Sequence, residues 1–398
     1  MKKRIVILVG MLVVLGMVTR FSVKLVKGVN ASKKTVAVSK SSAEKTISIK
    51  TNEAKEISNK EKKSIFDEEQ VVSDHIYPLT DLTTQQVSED KLPKGTVVNV
   101  KPVKGDTDWV EIVSDPPKGF IEAKYLSHRS EYIDKREKKR VKKLKPKALT
   151  KQLDQAIDNF LAQNGGDVSV YLETVNHDYS YSYDGDKVRR TASSIKLPFI
   201  AYLMTLADEG KIDLDTKLTY TANFKIDGTG IIQFEPIGTQ YTIKQLAELV
   251  IRYSDNVAYL MLLNDIGEPN FVQFLAELDP QSPNNRVFST PRILTKAMEY
   301  VYEEKDSNKN IKLLYEWIQN STFDDGVDVG LPGVDVAHKT GWMPMYTVSN
   351  DIALVKDKKQ PYFITIMTSG YDSSYSEQSI SDLSAIIDDY MLQLDLSN

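Results

Sequence analysis

The sequence predicts an α+β architecture. A large C-terminal domain builds an antiparallel sheet from both of its chain ends and adds a helical subdomain, and a small all-β barrel precedes it. Three observations carry that expectation. Residues 149–398 read as a helix, two alternating strands, a block of helices, three strands and a last helix. Residues 75–128 hold short β-rich runs separated by turn signals. Composition is that of a globular chain, with 41% hydrophobic and 27% charged residues among 398, which excludes a wholly disordered chain and a polytopic membrane protein.

The chain opens with Lys2, Lys3 and Arg4 ahead of an apolar run from Ile5 to Val18. A basic flank and a run of this length read as a signal peptide or a short signal anchor over residues 1–27, with membrane contact through 5–18. The positive flank stays cytoplasmic, so the remainder is expected on the outer face of the cytoplasmic membrane or in the cell wall. Val29-Asn30-Ala31 has the shape of a cleavage site, but Arg20, Lys24 and Lys27 separate it from the run, which favours an uncleaved anchor. Residues 28–74 are rich in Ser, Lys, Glu and Thr, hold no aromatic residue but Phe66, and read as a flexible tether.

Ile76-Tyr77-Pro78-Leu79, residues 96–100, residues 109–113 and residues 119–122 are the β-rich runs of the next segment. Lys94-Gly95, Lys104-Gly105-Asp106 and the Pro116-Pro117 stretch separate them. Short strands at this density suggest a small barrel. Gly119-Phe120-Ile121 followed by Tyr125-Leu126 resembles bacterial SH3-like modules of envelope proteins, which implies either peptidoglycan binding or a spacer role.

Net charge is −4 overall, but residues 129–148 carry +7 and residues 149–398 carry −16. The basic stretch is expected to be a solvated linker helix; the sharper alternative is contact with anionic wall polymers or lipid head groups. Nucleic acid is not an expected partner of an exported chain. Cysteine is absent, which excludes disulfides, thiolate metal sites and a cysteine nucleophile. Four scattered histidines give no histidine-rich metal centre, and no metal or organic cofactor is implied.

In the C-terminal domain, Leu153, Ile157, Phe160 and Leu161 share one face of a helix over 149–163. Strands are expected at 168–172 and 179–183, and a nearly all-apolar buried helix runs from Ser194 to Glu209. Helices follow at 243–252, 255–265, 269–278 and 291–303, then strands at 334–340, 348–355 and 362–368, and a helix at 379–392.

Three short motifs punctuate this pattern: Ser193-Ser194-Ile195-Lys196 opening the buried helix, Ser254-Asp255-Asn256 between two helices, and Lys339-Thr340-Gly341 ending a strand. Residues three apart share a helix face, so Lys196 is placed to reach the Ser193 hydroxyl. A serine hydroxyl needs a base, and a desolvated amine is one. Each motif alone is weak; the ordered set is specific.

The set resembles that of the class A β-lactamase-like and penicillin-binding-type serine hydrolases, over nearly all of residues 149–398. The resemblance implies a β-lactamase/transpeptidase-like fold and these roles. Ser193 is the acylated nucleophile and Lys196 its base or part of a shared proton network. Ser254 relays the proton, and Asn256 orients Lys196 and contacts the substrate amide. Lys339 attracts a substrate carboxylate, Thr340 bonds it, and Gly341 and Trp342 belong with Asn256 and Thr340 to the substrate-binding set. The Ser193 and Trp342 N–H groups form an oxyanion hole. Expected substrates are a β-lactam or D-alanyl groups of peptidoglycan or teichoic acid, handled by a monomer.

One family feature is missing. A class A β-lactamase places a water-activating glutamate in an Ω loop, but the stretch from Asp279 to Thr290 is short and holds no glutamate. Glu277 reads as a solvated helix residue. Acylation without fast deacylation is therefore the leading expectation. A true β-lactamase with another deacylating base is the alternative, and a non-catalytic wall-binding protein is the third. His338 and Tyr259 read as packing residues, Trp342 as a rim residue, and Asp227-Gly228-Thr229-Gly230 as a turn without phosphate-binding character.

Overall fold

The computed structural model of the protein describes residues 63–88, 92–114, 118–322 and 325–397. The expected anchor at 5–18 and the tether as far as residue 62 lie outside these residues. Among the described residues no helix is long and apolar enough to cross a membrane.

Five antiparallel strands form the sheet of the C-terminal domain, in the order Ser180–Tyr183, Asp167–Thr174, Tyr362–Ser369, Val348–Val355 and Val336–Met343. The strand from Val348 to Val355 is buried at every position. Its alternate residues serve two cores. Ala353 and Val355 join the helices Pro146–Asn164 and Ser376–Met391, while Ile352 and Leu354 join the helical block. A strand covered on both faces reads as a continuous apolar run. The polar exceptions Ser349, Asn350 and Asp351 are each at most 4% exposed, which marks them as partners of something specific.

The helical block contains Lys196–Asp208, Ile243–Arg252, Asn256–Ile266, Glu268–Leu278 and Pro291–Glu304, close to the expected bounds. Two more, Lys309–Ile318 and the short Val327–Gly330, were not expected. The first has legible signals: Asn308 caps it by accepting from the Asn310 and Ile311 N–H groups, and Ile311, Leu314 and Ile318 point inward.

Several expectations are corrected. Residues 192–195 form a 3₁₀ turn that runs directly into the buried helix, whose α-helical part starts at Lys196 rather than Ser194. Lys339-Thr340-Gly341 lies inside a strand that runs on to Met343, held by pairing with Val348–Val355. The tether expectation fails at its described end: Gln70–Val72 is a buried strand paired with Val97–Val98 and Leu126–His128. A second small sheet orders Gln86–Val87, Leu79–Asp81, Gly119–Glu122, Trp109–Ile112 and Val100–Pro102. Val72, Val98, Val110, Ile112 and Ile121 form one apolar core between the two sheets.

The basic stretch is helical over Arg129–Lys139 but it is not solvated on all sides. Arg136 bonds Asp357 at 3.1 Å and Asp388 at 3.0 Å, and its side chain is only 11% exposed. Arg140 joins it on Asp357, Lys139 pairs with Asp389, and Arg129 bridges Glu69 to Asp335. The linker's cations meet the acids of the following domain, which explains the opposite charges of the two segments.

Candidate active site

The first motif sits where three elements converge. Thr191 donates its hydroxyl to the Arg286 and Val287 carbonyls, and Asn350 Nδ2 donates to the Arg190 and Thr191 carbonyls. The 3₁₀ turn carrying Ser193 is thus pinned from two sides. Gly341 passes so close that a Cβ there would lie 2.4 Å from the Ser194 nitrogen and 2.9 Å from that of Ser193. Only glycine lets the strand approach the nucleophile's turn this closely.

Ser254 is held at φ 48°, an uncommon conformation for a residue with a side chain. Its carbonyl accepts from Lys196 Nζ at 2.6 Å and from Thr229 Oγ1 at 2.7 Å. Asp255 is fully buried and caps the following helix through the Ala258 N–H. Its other oxygen accepts from the Ile231 and Ile232 N–H groups, so the Asp227–Gly230 turn closes over the second motif. Asp255 is therefore both an ordinary helix cap and a brace for the cleft wall.

The two lysines meet at the Ser254 hydroxyl. Lys196 Nζ lies 3.2 Å from Ser254 Oγ and 2.7 Å from Asn256 Oδ1. Lys339 Nζ lies 3.1 Å from the same hydroxyl and also donates to the Thr340 carbonyl at 2.8 Å. Among the described contacts Lys196 bonds Ser254 and Asn256, not the Ser193 hydroxyl, which corrects the expected direct contact.

Burial sets the electrostatics. Lys196 is 2% exposed and Lys339 is not exposed at all. Desolvation, and then the neighbouring Lys339 charge, hold the Lys196 amine well below its ordinary range. Desolvation also lowers Lys339, to about 8, while Asp325 and Asp351 act in the opposite direction. Burial raises the carboxyl groups of Asp325 and Asp328 above the usual range. His338 is buried, with Nδ1 2.9 Å from Asp351 Oδ2, so it is a packing and charge-balancing residue behind the site.

Trp342 is 42% exposed and stands at the rim, and Tyr259 is buried with its ring 5.7 Å from Lys196 Nζ. Asn350, Thr229 and the acids behind Lys339 were missed from sequence; for Asn350 the signal was the polar triplet Ser349-Asn350-Asp351 in an otherwise apolar strand. The carboxylates flanking residues 279–290 are committed elsewhere. Asp279 pairs with Arg292 and Lys296, Glu268 pairs with Arg286, and Glu277 is exposed and bonded to Gln273.

Comparison with known proteins agrees with this geometry. A family model described as the β-lactamase enzyme family matches residues 152–391. The β-lactamase of Bacillus licheniformis is 28% identical over 228 residues, 52% of this chain and 73% of that protein. β-Lactamase 3 of Bacillus cereus is 26% identical over 243 residues, 55% of this chain and 75% of that protein. Among solved structures, PBP-A superposes with a TM-score of 0.55 at 22% identity, over 62% of this chain and 96% of its own. A PBP-A variant in an acyl-enzyme complex with penicillin G matches equally well, with a TM-score of 0.55 over 62% of this chain and 97% of its own. Through residues 152–391 the chain belongs to the β-lactamase enzyme family, as a serine hydrolase of the class A type.

Proposed function

We propose that the protein is an exported envelope hydrolase that forms an acyl-enzyme at Ser193 and releases it slowly. The observation that carries this reading is the donor count around Lys196. A neutral amine has two N–H bonds and one lone pair. The Ser254 carbonyl and Asn256 Oδ1 take the two N–H bonds, which leaves the lone pair toward Ser254 Oγ. Lys339 supplies the one ammonium of the set.

In the proposed sequence the Ser193 hydroxyl gives its proton to the shared Lys196–Ser254 network, with the Lys196 amine as the final acceptor, as Oγ bonds the substrate carbonyl carbon. The oxyanion is held by the Ser193 and Trp342 N–H groups. The proton then passes through Ser254 to the leaving nitrogen or oxygen as its bond to carbon breaks. Lys339 and Thr340 hold a substrate carboxylate, and Asn256 holds the acyl amide. Acylation needs nothing further. Hydrolysis of the ester needs a base for water, and Asp279, Glu268 and Glu277 are engaged as described. The substrates that fit are a β-lactam and D-alanyl groups of peptidoglycan or teichoic acid. The penicillin acyl-enzyme of PBP-A, a structure with the same fold, supports the first.

The small β domain is proposed to be SH3-like and to hold wall polymer near the cleft. Its support is a cavity of about 280 Å³ lined by Tyr77, Trp109, Phe120 and Tyr125.

Intact-mass spectrometry of residues 63–398, which keep the Gln70–Val72 strand, tests the reading after mixing with penicillin G. A persistent adduct that disappears in Ser193→Ala is expected. Rapid drug turnover without adduct would replace slow deacylation with true β-lactamase activity. Neither adduct nor turnover would direct the test to D-alanyl esters and amides.

A further inference from the structure

We propose a zinc site outside the cleft, made by Glu173, His177 and Glu299. His177 lies in the turn between the Asp167–Thr174 and Ser180–Tyr183 strands, and Glu299 projects from the Pro291–Glu304 helix that packs on that sheet. His177 Nδ1 is 2.8 Å from Glu173 Oε1 and 3.3 Å from Glu299 Oε1. One donor atom from each of the three residues lies within 4.8 Å of the others. A tetrahedral zinc ion with ligands at about 2.0–2.2 Å needs donors roughly 3.4 Å apart, so small side-chain rotations complete the set.

The histidine sets this cluster apart from a group of surface acids. A carboxylate oxygen only accepts, so either a proton on Nδ1 or a metal ion stands between Nδ1 and the two oxygens that face it. The other ring nitrogen, Nε2, lies 3.4 Å from Glu303 Oε1. With an ion on Nδ1, a proton on Nε2 would be directed at Glu303, the arrangement in which a ligating histidine is held by an outer carboxylate. The Tyr171 hydroxyl donates to Glu173 Oε2 at 3.0 Å and holds the first carboxylate in place, with Oε1 toward His177. Glu299 and Glu303 are one helical turn apart, so one face of one helix supplies both the ligand and the orienting group.

Lys296, the nearest cation on that helix, is engaged 3.0 Å from Asp279. Three carboxylates therefore share one imidazole, and a divalent cation balances them better than a proton does. One nitrogen and two carboxylate oxygens suit zinc over magnesium or calcium, which prefer all-oxygen sets. With side-chain exposures of 45% for His177, 19% for Glu173 and 17% for Glu299, water has access to the fourth position. The bound ion would tie the hairpin turn to the helix.

The test is isothermal titration of zinc chloride into the EDTA-treated full-length protein, with thermal unfolding alongside. One equivalent should bind, and at a hundredfold excess over the dissociation constant the unfolding midpoint should rise by roughly 5 °C. His177→Asn is the first variant, because asparagine tolerates the φ of 58° at this position. Glu299→Gln is the second and leaves the turn untouched. Each should weaken zinc binding at least tenfold while penicillin acylation at Ser193 stays as in the parent. The proposal is overturned if no zinc binds, if both variants bind it as the parent does, or if calcium or magnesium gives the response and zinc does not. It is also overturned if His177→Asn lowers the metal-free midpoint while zinc leaves the parent's midpoint unmoved, since the cluster would then be an ion-pair clamp only.

Discussion

Two buried groups of cations in this molecule have opposite chemistry. Around Ser254, Lys196 and Lys339 share one hydroxyl, and among the described residues no carboxylate bonds Lys196. Beneath the Arg129–Lys139 helix, Arg136 meets Asp357 and Asp388 directly, and Tyr362 adds a 3.0 Å hydroxyl bond to Asp388. Matched charges hold a helix in place. Lys196, buried with no carboxylate bonded to it among the described residues, is held low by desolvation and by the Lys339 charge, which leaves an amine able to accept a proton. The difference lies chiefly in partnership, since Arg136 at 11% exposure is nearly as withdrawn from water as the two lysines.

The largest effect should come from removing the unmatched amine. Lys196→Met should slow acylation of Ser193 by penicillin roughly 10²–10⁴-fold, the usual contribution of a positioned base. Its folding stability should hold or rise, because a poorly solvated amine is gone. Stopped-flow acylation and urea unfolding read the two quantities, and a stability loss comparable to that of an ion-pair mutant would collapse the contrast.

The matched group should behave in the reverse way. Arg136→Met leaves Asp388 buried without its cation and should cost about 3 kcal/mol of stability, at the low end for a broken buried pair because Arg140 still reaches Asp357. Acylation by the folded fraction should be unchanged. A loss below about 1 kcal/mol in urea titration would place this cluster with ordinary surface pairs.

Proton linkage sharpens the comparison. Lys339 must carry its charge to attract a substrate carboxylate, and its value of about 8 puts the loss of that charge just above neutrality. Acylation should fall about tenfold per pH unit above pH 8, and should also fall at low pH as Lys196 takes up a proton. Stability moves the other way: a lysine held below its ordinary value of 10.5 binds fewer protons folded than unfolded, so its penalty fades as pH climbs from about 8 toward 10.5. Asp388 has the opposite sign. Burial pushes its carboxyl up to about 6 against the pull of Arg136, so its contribution is full below the unfolded carboxylate value and is lost as pH rises through 6. A flat acylation profile between pH 7 and 9 would remove Lys339 from substrate binding.

The smallest effect is expected at Glu277. Glu277→Gln should leave the lifetime of the penicilloyl adduct within about twofold, because this residue is exposed and bonded to Gln273. A much longer lifetime would make it the missing deacylating base.

The three motifs and most helix and strand positions were legible because each rests on short-range information. Periodicity, caps and turn residues act over a few positions, and Thr242, Asp255 and Thr290 cap their helices as local rules require. The Gln70–Val72 strand was not legible, since three residues carry no period and their burial depends on partners at Val97–Val98 and Leu126–His128. Nor was the docking of Arg136, whose acids lie more than 200 positions away. By itself the sequence determined the family, the inventory of chemical groups and the order of the elements. Only the tertiary structure decided which groups lose water together, and with them the protonation of Lys196, the seat of the basic helix and the meeting of His177 with Glu173 and Glu299. Desolvation and Coulomb energies depend on distance through space, and for these pairs that distance is set by packing.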